Sequence, residues 1–178
     1  MAEIKGGDQL ERKLAQMAAR LAKPGTLKVG FLSGARYPNG MSVAPVAAIN
    51  NYGAPRARIP PRPFFSNMVA DKQKEWPKTL ANLLKTYDVN VALQLMGEGI
   101  KSQLQQSIID TFSPPLSPVT LMLRKMKANN PDLIVTGRTV GVAAANVAAG
   151  MSYAGVSTKP LIATGHLLNS VEYKVSVT

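Results

Sequence analysis

The sequence predicts a single α+β domain over residues 1–178, in which long helices pack against a small sheet. With 178 residues, 46% of them hydrophobic, the chain can build the core of one domain of ordinary size. Apolar residues recur at helical spacing through the middle of the chain, while period-two alternation occurs near its beginning and its end. We therefore expect an N-terminal helix, several central helices and a C-terminal strand.

The first predicted elements are a helix, a strand and a second, shorter helix. Asp8 and Glu11 form an acidic variant of the capping box, and an apolar stripe follows at helical spacing: Leu10, Leu14, Met17 and Leu21. The Lys-Pro-Gly sequence at residues 23–25 ends this helix, and residues 26–32 alternate like a strand. A short helix is predicted over residues 43–52, because a glycine that can end it follows directly.

Two longer helices are predicted in the centre of the chain. One runs from about Ser66 towards Lys85, and Pro77 either starts a new turn or kinks it. Asp88 caps the other, which ends near Thr111 and is about 35 Å long at 1.5 Å per residue. We expect this helix to support the sheet through its apolar face: Leu93, Met96, Ile100, Leu104, Ile108 and Phe112.

The last third of the chain contains a capped helix and the clearest strand. Ser117 as N-cap and Pro118 as first helical residue predict a helix through Met126. A turn of helix is predicted over residues 165–170, and it leads into a strand with these alternating apolar residues: Val171, Tyr173, Val175 and Val177.

The residue types that most catalytic sites require are scarce. The chain has no cysteine and one histidine, His166, which excludes thiolate and multi-histidine metal sites. Glu98 and Asp110 share a predicted helix but lie about 18 Å apart, too far for joint acid–base work. We expect His166 to be solvent-facing or locally hydrogen-bonded, and we predict a protein that is not an enzyme, with no catalytic residue, cofactor or metal.

The charge distribution is lopsided, with a formal net charge of +11. Between Arg12 and Arg62 the chain has nine basic residues and no acidic one. Such a block can bind phosphates without reading sequence, so a non-specific basic DNA-binding protein is the alternative function. Few aromatic residues lie between these basic residues, so bases have little to stack on and sequence-specific recognition of nucleic acid is not expected.

A proline- and arginine-rich segment over residues 54–65 is the candidate site. Its prolines exclude regular structure, which leaves an extended loop or a stiff arm that docks on a partner. We favour the arm, because arginine and phenylalanine are enriched at interfaces. The predicted interface residues are Arg56, Arg58, Ile59, Pro60, Pro61, Arg62, Pro63, Phe64 and Phe65.

Residues 139–158 form an uncharged stretch long enough to span a membrane. The stretch contains no leucine, isoleucine or phenylalanine and is rich in alanine and glycine, so a membrane partner is not expected. Its conformation is left open between helix, hairpin and disorder.

Six short motifs occur in order between Leu27 and Val175. They are Lys28-Val29-Gly30-Phe31, Tyr37-Pro38-Asn39-Gly40, the run from Val43 to Gly53, Ile59-Pro60-Pro61-Arg62-Pro63-Phe64-Phe65, Pro114-Pro115-Leu116-Ser117-Pro118-Val119-Thr120 and the run from Lys159 to Val171. In this order they resemble small virion morphogenesis proteins of tailed bacteriophages, known as neck, tail-completion or head–tail joining proteins.

The resemblance implies a structural virion protein with an antiparallel sheet packed against long helices. It implies a homo-oligomeric ring, commonly a hexamer, at the neck or head-proximal end of the tail, assembled in the bacterial host cytoplasm. The implied partners are other copies of the chain, tail-tube or tail-terminator proteins and the head–tail connector, with genomic DNA passing through the lumen. Residues 129–158 depart from the family pattern as an insertion before the C-terminal strand, where a protein-specific contact is expected.

Overall fold

The computed structural model describes residues 7–21 and 24–177, which form one domain. Helices account for 56% and strands for 10% of the structure, so the predicted α+β class is confirmed. The helices are α1 (Gly7–Leu21), α2 (Val43–Tyr52), α3 (Phe64–Lys72), α4 (Trp76–Thr86), α5 (Val89–Asp110), α6 (Pro118–Asn129), α7 (Gly137–Ala148) and α8 (His166–Asn169). The strands are β1 (Gly25–Gly30) and β2 (Glu172–Val177).

The described sheet consists of β1 and β2, paired antiparallel in a register that places Leu27 opposite Val175 and Lys28 opposite Lys174. Alternation puts the apolar side chains of both strands on the face towards α5 and the lysines on the exposed face. Gly97 of α5 permits this packing, because a Cβ there would overlap the Tyr173 ring and lie 3.0 Å from Leu27 Cδ1. The expectation that α5 supports the sheet is therefore confirmed.

Helix α5 begins as predicted, since Asp88 Oδ1 accepts a hydrogen bond of 3.0 Å from the Val91 backbone N–H. Its predicted apolar face is buried at Leu93, Met96, Leu104 and Ile108 and half-buried at Ile100. Phe112 was wrongly assigned to this face. The helix ends at Asp110, Thr111 is extended, and Phe112 is 58% exposed.

Other boundaries also differ from the expectation. Strand β1 ends at Gly30, whose φ of +144° turns the chain so that the Phe31 ring packs edge-on against Phe64 at 6.2 Å between centroids. The helix expected over residues 66–85 is two helices, α3 and α4, with Pro77 in the first turn of α4. The predicted cap at Asp8 and the stop at Lys23 lie outside the described side chains.

Part of the insertion forms a helix. Helix α7 packs against α6 through its buried residue Ala143. Thr136 caps α7 by accepting from the Thr139 N–H, and Thr139 Oγ1 accepts from the Thr136 N–H at 2.7 Å. Within the described ranges, no helix is both long and apolar enough to cross a membrane.

Candidate assembly surface

The proline- and arginine-rich segment begins as a closed loop, not as an extended arm. A 3₁₀ turn forms over Pro55–Ala57, and the Ala54 N–H donates to the Ile59 carbonyl at 2.9 Å while Ile59 donates back. Arg58 adopts the left-handed conformation that the turn requires. Gly53 lies beneath this loop, where a Cβ would be 2.9 Å from the Pro61 nitrogen.

Two of the nine predicted interface residues are interior residues of the subunit. Arg62 is 5% exposed, and its Nε donates to the Pro114 carbonyl at 3.0 Å. Burial lowers the pKa of Arg62 below its ordinary value. Phe64 is 1% exposed and belongs to the core with Leu104 and Ile108. Both side chains therefore stabilise the folded domain in this conformation.

The other seven predicted interface residues remain at or near the surface. Ile59 and Phe65 are half-buried, and five residues are exposed: Arg56, Arg58, Pro60, Pro61 and Pro63. The predicted partner contact narrows to these seven residues and stays a prediction.

Asn51 joins the end of this segment to helix α2, which the sequence did not indicate. Its Oδ1 accepts from the backbone N–H groups of Phe65 and Ser66 at 3.0 and 3.1 Å, and its Nδ2 donates to Ser66 Oγ at 2.7 Å. The buried amide thus satisfies N–H groups in the first turn of α3. Only its place in a short helix directly before Tyr52-Gly53 could have drawn attention to it.

An apolar groove runs beside β1 and is divided by Phe65 into two hollows. The first has a volume of about 220 Å³ and is lined by Val29, Gly30, Phe31, Ala44, Ala47, Ala48, Asn51, Tyr52, Phe64 and Phe65. The second has a volume of about 260 Å³ and is lined by Leu27, Val29, Phe65, Met68, Val69, Trp76, Ile100 and Leu104. None of these lining residues is charged, which suits an apolar occupant.

Tyr52 stands at the margin of the first hollow with 73% of its surface exposed, and Ile49 of the same helix is also exposed. An exposed aromatic side chain beside an apolar hollow is typical of the anchors that dominate protein interfaces. We call the groove, Tyr52 and the seven accessible segment residues the assembly surface.

Arg124 is a structural residue that sequence reasoning missed. Its Nη1 donates to the carbonyls of Ser157, Lys159 and Ile162 at 2.6, 2.8 and 3.3 Å, and its Nη2 donates to Pro160 at 2.9 Å. Burial and, next, the positive charge of nearby Arg62 lower the pKa of Arg124. One side chain on α6 thereby fixes the segment that leads from the insertion to α8.

The His166 ring is hydrogen-bonded, but its partner lies 130 residues away in sequence, so the bond is not the local one that was expected. Its Nε2 lies 2.8 Å from the Arg36 carbonyl, and its ring is 4.7 Å from the Tyr37 ring between centroids. Over residues 7–21 and 24–177, no three histidine, aspartate or glutamate side chains are grouped so that they could hold a metal ion.

No protein-family model matches the chain, and no curated protein or solved structure matches it either. The resemblance to phage neck and tail-completion proteins accordingly stays a prediction made from the ordered motifs.

Proposed function

We propose that the chain is a structural virion protein of a tailed bacteriophage, which forms a ring at the neck or head-proximal end of the tail. The observation that supports this most is the open apolar groove, which an isolated soluble subunit has no evident reason to keep at its surface. The resemblance to neck and tail-completion proteins comes from the ordered motifs, and the groove is an apolar surface that assembly would cover.

A ring built from identical subunits needs two different surfaces that recognise each other, because a head-to-tail contact is heterologous. The assembly surface is one such area. The insertion supplies a second set of exposed apolar side chains, which belongs to other elements of the fold: Ile134, Val135, Val140, Val142 and Met151. The insertion is thus available to a neighbouring copy or to the tail-tube, tail-terminator or connector proteins.

The size and symmetry of purified assemblies test this proposal. Sedimentation velocity and negative-stain electron microscopy should show closed rings, sixfold by the resemblance, in equilibrium with smaller species. Tyr52→Glu should weaken the rings, because it places a charge at the margin of the groove. Tyr87→Glu is the matched control, since Tyr87 is an exposed tyrosine at the end of α4 and does not line the groove. A monomer at all concentrations, which also fails to bind isolated tails or connectors, would overturn the proposal.

Non-specific DNA binding is the second candidate, and one feature of the sheet favours it. Lys28 and Lys174 lie directly opposite each other on the exposed face, where like charges destabilise a cross-strand pair unless an anion neutralises them. Binding to unrelated duplexes should then fall steeply between 50 and 200 mM salt, and Lys28→Gln should reduce the log–log slope by about one. Salt-insensitive or absent binding would exclude this candidate.

A further inference from the structure

Helix α1 is an amphipathic helix whose described side chains are all exposed. Leu14, a member of the apolar stripe predicted from the sequence, is 56% exposed. The other described side chains of α1 are exposed as well: Gln9, Glu11, Arg12, Lys13, Ala15, Gln16, Ala18 and Ala19. Because a helix of 15 residues is marginally stable alone in water, packing of its apolar stripe on another surface would stabilise it.

The groove offers two positions for the apolar side chains of this helix. Helix α1 has 15 residues and is about 22 Å long, and β1 contributes Leu27, Val29 and Gly30 to the lining of the groove. The hollows of about 220 and 260 Å³ are each larger than the cavity of ~150 Å³ that admits benzene, so each accommodates a leucine side chain.

The groove also matches the apolar stripe in polarity. Its described lining residues carry no charge. The amide of Asn51 already makes hydrogen bonds through both its oxygen and its nitrogen, so the occupant need not supply a polar partner there. A charged ligand such as DNA would gain little from this groove, whereas an aliphatic helix face would bury its side chains.

We propose that α1 of one copy docks in the groove of the next copy, with Leu14 inserted in one of the two hollows. The occupant is a second copy because the described side chains of α1, Leu14 among them, are exposed while the groove of the same chain is open. This inference rests on the proposed ring and deepens it, since a helix donated head-to-tail from each subunit closes into a ring when the rotation between copies closes.

Disulfide trapping tests the contact directly, because the chain contains no cysteine of its own. A Leu14→Cys copy is mixed with an Ala48→Cys copy for the first hollow, or with a Val69→Cys copy for the second. Mild oxidation should link the two copies, and a chain carrying Leu14→Cys with the productive partner should give a ladder of linked multimers. Ser102→Cys, an exposed α5 position that does not line the groove, is the control and should remain unlinked.

A charge introduced in the stripe provides the second measurement. Leu14→Asp should raise the concentration at which half the subunits are assembled by roughly tenfold to a hundredfold, the loss expected for one buried leucine side chain. Ala15→Asp, the neighbouring exposed position, should leave assembly unchanged because adjacent residues do not share a helix face. Circular dichroism should show the same thermal transition of the domain for both variants.

The outcomes separate this inference from the proposed function. If rings persist in Leu14→Asp and the mixtures of cysteine variants give no linked species, the docking of α1 is overturned while the proposed ring stands. A disulfide that forms within a single chain would overturn the exchange between copies. A wild-type chain that never assembles would overturn both proposals.

Discussion

Replacing Arg124 by methionine should destabilise the protein, because it removes a side chain that donates hydrogen bonds to four backbone carbonyls. The guanidinium holds four backbone carbonyls, which lie 33 to 38 residues away in sequence, and methionine preserves most of the packing volume. A hydrogen bond to a charged group contributes about 1.5–3 kcal/mol, and a sum over all four would overestimate the loss. Arg124 is only half-buried, so water reaches part of the vacated space. We therefore expect the free energy of unfolding to fall by about 3 kcal/mol.

Urea unfolding followed by circular dichroism at one protein concentration measures this change. In a chain of 178 residues, 3 kcal/mol corresponds to a decrease in Tm of about 6–12 °C. Lys127→Met is the matched control, because Lys127 is an exposed residue of the same helix and should change stability by less than about 0.5 kcal/mol. Arg124→Lys should recover less than half of the loss, since one ammonium group cannot reproduce the planar arrangement of donors.

A double-mutant cycle with Arg62 measures whether the two guanidinium groups attract or repel each other. Burial and, next, the positive charge of Arg62 lower the pKa of Arg124, and the second cause means that the two guanidinium groups repel each other. The double variant Arg62→Met, Arg124→Met should be more destabilised than the sum of the single variants, because each single variant already relieves the same repulsion. An Arg124→Met protein as stable as the Lys127→Met control would refute the view that these hydrogen bonds hold the segment before α8.

Three other substitutions test the core and the sheet. Gly97→Ala should destabilise the domain by about 1–3 kcal/mol because the new methyl group displaces the Tyr173 ring, whereas Gly99→Ala, with no atom within 4 Å, should stabilise α5 by about 0.5–1 kcal/mol. Phe64→Ala should cost about 3–5 kcal/mol, since the ring is fully buried. Burial raises the pKa of Tyr37, so the folded chain keeps a proton that the unfolded chain has lost, and the free energy of unfolding should fall above about pH 10.

Chemical denaturation at neutral pH measures the first two effects. Equal stabilities of Gly97→Ala and Gly99→Ala would contradict the close approach of the sheet to α5. For Tyr37, unfolding is compared at pH 8 and 11 in the wild type and in Tyr37→Phe. The wild type should lose more stability than the variant over this interval, and identical losses would contradict the contribution of this phenol.

Local signals predicted most of the elements, although α7 was left open and α3 and α4 were expected as one helix. Distant contacts determined most of the assembly surface. Helix α2 has the predicted bounds, and α5 and α6 begin at the predicted caps, because capping depends on residues three or four positions apart. The accessibility of the candidate segment could not be predicted, since Arg62 and Phe64 are buried by elements far along the chain. Sequence patterning shows which side chains are apolar, not which of them the fold covers.

The groove likewise could not be predicted from the sequence. Its two hollows lie between side chains of β1, α2, α3, α4 and α5, so their existence depends on how these elements pack. The predicted interface residues Phe64 and Phe65 both line the first hollow, and Phe65 also lines the second. The sequence therefore identified two residues of the groove without indicating the groove itself.

The pairing of β1 with β2 constrains how the protein can be made. The partner strand of β1 begins at Glu172, 142 residues after β1 ends at Gly30. At about 5–20 residues per second, a ribosome needs roughly 7–30 s to synthesise that interval. During this time the backbone of β1 has no partner strand, and nascent chains on neighbouring ribosomes offer identical strands to pair with. Molecular chaperones that shield this edge during translation would therefore raise the yield of correctly folded subunits.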